Sequence, residues 1–244
     1  MSTEFAQPSQ NRIEPWHSAN AASLRQIVFG VNDGLVATVG LVAGLTFAGS
    51  SQGVVIGATL AAIVAAVVSM ALGSYLSTRT EVRYYQAQVH REKREMVDMP
   101  EEELAEMRHI YRGYGFSEEE TEIFLSRFEQ DHDLWLNLML RDELGIIPES
   151  FESPVKNAAL MALAVLSGSI PPLLPNIILS VPMAAFVWVI WLSALTAFVL
   201  GALTGQSTGE TWWKSGLSFL AVSSIAAVIG MGAGHFITPL LGVG

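Results

Sequence analysis

The densest group of potential metal ligands in this sequence lies in the stretch EKREMVDMPEEELAE, between positions 92 and 106. Glu92 and Glu95 are three residues apart, and Glu103 and Glu106 repeat that spacing, so each pair lies on one face of a helix. Two antiparallel helices joined by a tight turn can bring the two pairs face to face. Carboxylates suit Ca²⁺, Mg²⁺ or Mn²⁺. A solvated acidic helix face has the same pattern, and spacing alone does not decide between the two interpretations.

Met139 and Glu143 are four residues apart on a later predicted helix and can complete the group. A thioether beside carboxylates shifts the metal preference toward softer ions such as Fe²⁺. Methionine is also a common core residue, so packing is the alternative for Met139. The carboxylates at positions 101–102 and 118–120 lie in the first turns of predicted helices, where the helix dipole favours negative charge.

A single acidic residue, Asp33, lies within the apolar stretch FGVNDGLVATVGLVAG. If the helix enters the membrane near Ile27, a rise of 1.5 Å per residue places Asp33 about 9 Å inside. A charge at such a depth costs about 3 kcal/mol, which predicts that Asp33 faces a pore or a partner. The alternative is a span that begins later and is capped by Asp33. Met70, in VVSMALGSYLS, is a sulfur ligand candidate in the next span, with core packing as its alternative.

The elements that carry these residues belong to a membrane protein. Of the 244 residues, 51% are hydrophobic and 15% charged, against about 25% charged in soluble domains. The net charge of −10 argues against a nucleic-acid partner. The sequence contains no cysteine, which excludes thiolate metal sites and cysteine nucleophiles. It also lacks a Walker loop and a G-x-S-x-G motif, so we expect neither ATP use nor hydrolysis, and no enzymatic activity.

Charged residues are absent from three long runs, at positions 34–78, 157–209 and 215–244. A spanning helix needs about 20 apolar residues, so the first two runs hold two spans each and the third holds one. The break in the second run is predicted at SIPPLLPN, because clustered prolines cannot continue a helix. We therefore predict an all-α membrane protein with five transmembrane helices, near 27–48, 54–78, 157–176, 181–204 and 215–238.

Two pairs of glycines in the first span, Gly30 with Gly34 and Gly40 with Gly44, predict faces on which another helix approaches closely. The basic residues give the orientation of the spans. With the N-terminus in the cytoplasm, every Lys and Arg falls on the cytoplasmic side, as the positive-inside tendency requires, and the C-terminus lies outside. The start of the chain lacks the features of a signal peptide and is expected to be a soluble tail.

The segment between the second and third spans carries 19 of the 23 acidic residues and predicts a cytoplasmic three-helix module. The second span continues as a helix to VDMP, and Pro100 opens a helix that ends at Gly113. A third helix begins at Ser117, which Glu120 caps reciprocally, and runs to Gly145. The predicted domains are a tail, spans 1–2, the metal-binding module and spans 3–5, at 1–24, 25–80, 81–154 and 155–244.

The motifs VFGVNDGLVATVGLVAG, SMALGSYLSTRTEVRYY, REKREM, EEELAE and WLNLMLRDELGI, in this order, resemble the vacuolar iron transporter family from about Ser23 to the C-terminus. The resemblance implies a homodimer with five spans per subunit. It implies exchange of Fe²⁺, and often of Mn²⁺ or other divalent metals, for protons. It also implies that a glutamate-rich cytoplasmic domain binds metal beside a pore formed between the subunits.

Matched motif by motif, the resemblance implies a transport pathway containing Asp33 and Met70, and cytoplasmic metal ligands at Glu92, Glu95, Glu103, Glu106, Met139 and Glu143. Leu140 departs from the family pattern, which often has a second methionine there. The metal is cargo, and no permanently bound cofactor is expected. The protein would lie in the lipid bilayer of a bacterial inner membrane or, in a eukaryote, of the vacuole.

Two other functions remain open from the sequence. The Glu-x-x-His pairs Glu106 with His109 and Glu129 with His132 are similar to those of di-iron bundles and would suit a membrane ferroxidase. Such bundles need four long helices, whereas the module has room for about three short ones. An iron-sensing or storage protein without transport is the other alternative, for which Asp33 within a span is a poor fit.

Overall fold

A computed structural model describes residues 16–128, 130–146 and 153–240, and within those ranges the chain is helical without any strand. The expectation of an all-α protein is confirmed. The helices, in chain order, are α1 (Trp16–Phe47), α2 (Gln52–Asp98), α3 (Pro100–Gly113), α4 (Glu118–Phe128), α5 (His132–Asp142), α6 (Pro154–Ile178), α7 (Pro182–Thr208) and α8 (Trp212–Leu240).

The chain forms two compact units, which are described separately. One contains the residues up to Tyr75 and those from Pro154 onward, and the other, the module, contains Leu76–Ser153. In the first unit, α1 contacts α6, α7 and α8. Among the described residues, four helices are long and apolar enough to cross a membrane: α1 from Ser23, α2, α6, and α7 from Met183. The fifth span, predicted within α8, stays a prediction.

Glycines on α1 let it pack directly against α6. A Cβ atom on Gly30 would lie 2.7 Å from the Cβ of Ala164, and one on Gly34 would lie 2.8 Å from the hydroxyl oxygen of Ser169. Both distances are too short for a side chain, so only hydrogen fits at these positions. The Ser169 hydroxyl donates a hydrogen bond of 3.2 Å to the carbonyl oxygen of Gly34, which ties the two backbones together. The predicted close approach on the Gly30–Gly34 face is confirmed.

The expectation that the clustered prolines of SIPPLLPN cannot continue a helix is wrong, because α6 runs through them and ends at Ile178, two residues after the predicted end of the third span. The fixed φ of proline suits a helix, and inside a membrane protein neighbouring groups satisfy the carbonyls that lose their donors. The amide of Gln52, at the start of α2, donates hydrogen bonds of 2.7 and 2.6 Å to the carbonyl oxygens of Asn176 and Leu179. The chain breaks only after this capped turn, and α7 begins at Pro182.

The first half of the module follows the sequence prediction. The helix α2 continues to Asp98, and Pro100 occupies the first turn of α3. The reciprocal cap before α4 is present: the backbone N–H of Ser117 donates to the Glu120 carboxylate at 2.8 Å, and the N–H of Glu120 donates to the Ser117 hydroxyl at 3.3 Å. This confirms the capping box predicted from the S-E-E-E pattern.

The prediction of one helix from Ser117 to Gly145 is wrong, because two helices, α4 and α5, occupy that stretch. The side chain of Asp131 accepts a hydrogen bond of 3.0 Å from the backbone N–H of Leu134 and caps α5. An Asp at this position competes with the helix backbone and favours a new N-terminus. The apolar faces of α2 to α5 then share one core, whose buried members include Met107, Leu125, Phe128, Trp135, Met139 and Leu140.

Candidate metal centre

Three glutamates from three different helical segments converge in the module. Glu92 lies on α2, Glu103 lies on α3, and Glu143 is the residue that caps α5. Each offers a carboxylate oxygen, and these oxygens lie within 4.8 Å of one another. The turn between α2 and α3 brings the first two side chains together, and the shared core places the end of α5 beside them. Three oxygens at this spacing can surround a divalent cation.

Crowding makes the three carboxylates costly to ionise together, and burial adds to this cost for Glu92 and Glu103. Glu92 and Glu103 are 3% and 5% exposed, and the Oε2 atom of Glu103 has no hydrogen-bond partner. Burial, assisted by the charge of Glu106, raises the pKa of Glu103 to about 7. Glu143 is exposed as a residue, but desolvation of its carboxylate, followed by the charge of Glu92, raises its pKa to about 7. Burial and the charge of Glu95 also raise the pKa of Glu92. A bound cation would favour the ionised carboxylates and so lower all three pKa values.

Glu95 and Glu106 lie at the edge of this group. The guanidinium Nε of Arg91 donates hydrogen bonds of 3.0 and 3.1 Å to the two carboxylate oxygens of Glu95, which is partly buried. Glu106 is exposed, and its charge contributes to the raised pKa of Glu143. All five glutamates named from the sequence therefore occupy one neighbourhood, with three at its centre.

Met139 lies in the apolar core of the module and is fully buried, one turn before Glu143. Its neighbour Leu140 is 1% exposed in the same core. Both positions are apolar packing positions, so leucine in place of a second methionine keeps the core filled. The placement agrees with the packing alternative, and a role for the Met139 sulfur as a ligand stays a prediction.

The two histidines singled out from the sequence are exposed. His109 lies on α3 and His132 opens α5, with its ring 6.0 Å from the ring of Trp135. Glu129, the partner of His132 in the predicted Glu-x-x-His pair, lies outside the described residues.

The first unit holds the other two predicted functional residues. Asp33 is half-buried in the middle of α1, which begins at Trp16, so the alternative that it caps the helix is wrong. Met70 is half-buried on α2. The hydroxyl of Ser74, one turn from Met70, donates a hydrogen bond of 3.1 Å to the side-chain oxygen of Gln26. Because α1 and α2 are successive helices joined by a short turn, this bond brings Met70 to within about one or two helical turns of the level of Asp33.

The sequence profile of the VIT family matches residues 24–235. The chain belongs to the VIT family. It is 31% identical over 211 residues to vacuolar iron transporter 1 of Arabidopsis thaliana, covering 86% of this chain and 84% of that protein. It is 28% identical over 216 residues to vacuolar iron transporter 1 of Oryza sativa subsp. japonica, covering 88% and 86%. It is 26% identical over 236 residues to Protein CCC1 of Saccharomyces cerevisiae, covering 93% and 71%. The family resemblance drawn from the motifs is confirmed.

Sequence reasoning missed one residue beside the predicted ligands, Arg91. Its guanidinium is the positive charge that the structure places on a predicted ligand, Glu95. The signal was available, because Arg and Glu at positions i and i+4 of a helix are neighbours.

Proposed function

We propose that this chain is a secondary transporter that moves Fe²⁺, and other divalent ions such as Mn²⁺, out of the cytoplasm in exchange for protons. Its relatives are named vacuolar iron transporters, which supports iron as the cargo. The observation that carries the proposal is the convergence of Glu92, Glu103 and Glu143, with a buried Glu103 oxygen that has no partner. Burying an oxygen without a partner costs free energy, and a bound cation would supply the partner.

The proposed chemistry is an exchange of ligands for protons. Near neutral pH the crowded carboxyls of Glu103 and Glu143 hold protons part of the time, because the pKa of each is raised to about 7. An arriving Fe²⁺ binds the ionised oxygens, and the protons leave to water. Asp33 is the proposed acceptor of the ion within the membrane, alternating between metal and proton, and Met70 is the proposed sulfur ligand beside it.

The proposed membrane arrangement has five spans, the fourth and fifth being α7 and α8, with the N-terminus and the module in the cytoplasm. The charge-free runs and the one-sided basic residues support it. Cysteines introduced at Ser51 and Gly242 should react with an impermeant maleimide from outside. A cysteine at Glu119 should react only after permeabilisation, and outside labelling there would overturn the arrangement.

A homodimer is the proposed assembly, and α2 is the helix that would meet its partner. Of the 18-residue apolar stretch of α2 that could cross a membrane, only 17% is buried within the protomer, against 44% of the corresponding stretch of α1. A stripe of small residues, all exposed, recurs at every fourth position of α2: Gly53, Gly57, Ala61, Ala65, Ser69 and Gly73. Repeated small residues of this spacing allow two membrane helices to approach closely. One acidic residue per protomer also suits a pathway shared by two copies.

The alternative of a membrane ferroxidase receives little support from the module. Helices α3, α4 and α5 have 14, 11 and 11 residues, shorter than the four long helices of a di-iron bundle. Anaerobic loading of the purified protein with Fe²⁺, followed by oxygen, separates the two functions. Rapid stoichiometric formation of ferric iron would favour the enzyme.

Proteoliposomes containing the purified chain test the transport proposal. Uptake of Fe²⁺ is followed by quenching of an enclosed metal-sensitive dye, with and without a pH gradient, and an enclosed pH dye reports the return flow of protons. We expect uptake that depends on the protein and accelerates when the metal-receiving side is acidic. Uptake that responds neither to the protein nor to the gradient would contradict the proposal.

A further inference from the structure

Arg91 holds one of the predicted metal ligands before any metal arrives. Its Nε atom lies 3.0 and 3.1 Å from the two carboxylate oxygens of Glu95, so both oxygens share one donor. Glu95 is only 22% exposed at its side chain, whereas Arg91 is 62% exposed. The guanidinium therefore covers the Glu95 carboxylate from the solvent side, and Glu95 lies close enough to Glu92 for its charge to raise the pKa of that residue.

Three other arginines of the module have partners outside the central trio of glutamates. Arg108 pairs with Glu122 at 2.6 Å, and Arg112 pairs with Glu118 at 2.6 Å. Arg94, on the same helix as Arg91, donates a hydrogen bond of 3.4 Å to the backbone carbonyl of His90. Arg91 is the basic residue whose charge also acts on Glu92 and Glu143, the members of the central trio from α2 and α5.

We propose that Arg91 competes with the metal ion for Glu95 and sets the affinity of the loading site. In the empty site, Arg91 neutralises part of the carboxylate charge and occupies both oxygens of Glu95. When a divalent ion enters, Glu95 exchanges the guanidinium for the metal, and Arg91 turns out into the solvent that already surrounds it. When the ion leaves, Arg91 returns. This inference rests on the proposed function of the glutamate cluster as a metal site.

Two physical effects make Arg91 lower the affinity. Glu95 must give up its hydrogen bonds to Arg91 before it can bind the ion, and the positive charge of Arg91 repels a dication a few ångströms away. A surface pair of this kind is weak by itself, so the second effect is the larger. Removing the charge should tighten binding by about three- to tenfold at low salt, and salt should reduce the difference because the site is open to solvent on the Arg91 side.

The experiment compares full-length variants purified in detergent. Binding of Mn²⁺ is measured by titration calorimetry at low and high NaCl concentration for wild type, Arg91→Gln, Arg91→Lys and Arg94→Gln. We expect Arg91→Gln to bind about three- to tenfold more tightly at low salt, and the gain to shrink at high salt. Arg91→Lys keeps the charge and should lie closer to wild type. Arg94→Gln is the matched control, with the same loss of charge one turn along α2, and should change affinity less.

A double-mutant cycle tests whether the effect passes through Glu95. In a Glu95→Gln background, Arg91 has no carboxylate to hold, so the further change Arg91→Gln should have a smaller effect than in wild type. Affinity in Arg91→Gln that is unchanged or weaker, or a gain equalled by Arg94→Gln, would overturn the proposal. The proposed function fails separately, if wild type binds no Mn²⁺ or if Glu103→Gln leaves the binding unaltered.

Discussion

Replacing Glu103 by Gln should have opposite effects on metal binding and on stability, and the structure gives the size of the second. Glu103 is 5% exposed, so solvent screens its charge little. Burial and the neighbouring carboxylates raise its pKa from 4.5 to about 7. Because the folded pKa lies above the unfolded one, ionising Glu103 costs stability. The cost is absent below about pH 4.5, grows as the pH rises toward 7, and is complete above that value.

The difference between the two pKa values sets an upper limit of about 3 kcal/mol on that cost at pH 8. Glutamine has the same shape without the charge, and its amide can donate to the carboxylates of Glu92 and Glu143. We therefore expect the metal-free Glu103→Gln variant to be more stable than wild type at pH 8, by as much as about 3 kcal/mol, and nearly equal to it at pH 4.5. The same variant should bind metal much more weakly, because a buried ligand oxygen is lost.

Hydrogen–deuterium exchange read by mass spectrometry measures this locally. Peptides from α3 and α5 of the protein in chelator and detergent should exchange as much as about 100-fold more slowly in Glu103→Gln than in wild type at pH 8. Glu102→Gln is the matched control: it lies next door in the first turn of α3, is exposed, and should show no such slowing. Equal protection of Glu103→Gln and wild type at pH 8 would refute the argument that crowded carboxylates destabilise the empty site.

Three further predictions address the proton, the pathway and the dimer. Because the pKa values of Glu103 and Glu143 are raised to about 7, Mn²⁺ affinity measured by calorimetry should fall about tenfold or more per pH unit below 7, and ion binding near pH 7 should release protons into weak buffer. Asp33→Asn should abolish proteoliposome uptake of Fe²⁺ while leaving Mn²⁺ binding to the module intact; normal uptake would remove Asp33 from the pathway. Ala61→Leu, on the small-residue stripe, should shift the protein toward monomer in detergent as measured by mass photometry, whereas Val64→Leu, exposed off the stripe, should not.

The helix pattern and its local signals were readable from the sequence because they depend on neighbouring residues. Pro100 at the start of α3 and the reciprocal cap of Ser117 with Glu120 both act within one helical turn. The break at Asp131 was missed because an Asp within an amphipathic run is compatible with either a helix interior or a cap. The core of the module, which requires the chain to reverse there, selects the cap.

The course of α6 could not be predicted from its own residues. Three prolines within it argue for a break, and the contacts that cap the end of the helix come from far along the chain. Gln52 donates to the carbonyls of Asn176 and Leu179, more than 120 positions later in the sequence. Such a long-range cap leaves no local pattern, and the helix ends two residues beyond the predicted end of the third span.

The candidate metal site, too, could be predicted from the sequence only in part. Spacing predicted that Glu92 and Glu95 share a face and that Glu103 and Glu106 share another, but not which oxygens would meet. The tertiary packing selects Glu92 and Glu103 for burial and brings Glu143 to them from the end of α5. Glu95 is paired with the Arg91 guanidinium instead. Which glutamate is buried and which is paired depends on the rotation of α2, so a three-residue interval does not predict it.

On the proposed function, this unequal division of the carboxylates suits a site that must release its ion. A transporter gains nothing from a loading site that binds too tightly, because the ion must move on. Protons on Glu103 and Glu143 oppose binding in one way, through raised pKa values of about 7, and Arg91 opposes it in another, through its charge on Glu95. The first opposition weakens as the pH rises, whereas the second does not. A site with both the protons and Arg91 can still release metal when the cytoplasmic pH rises. We expect the Arg91→Gln variant to lose this release, at alkaline pH before neutral pH.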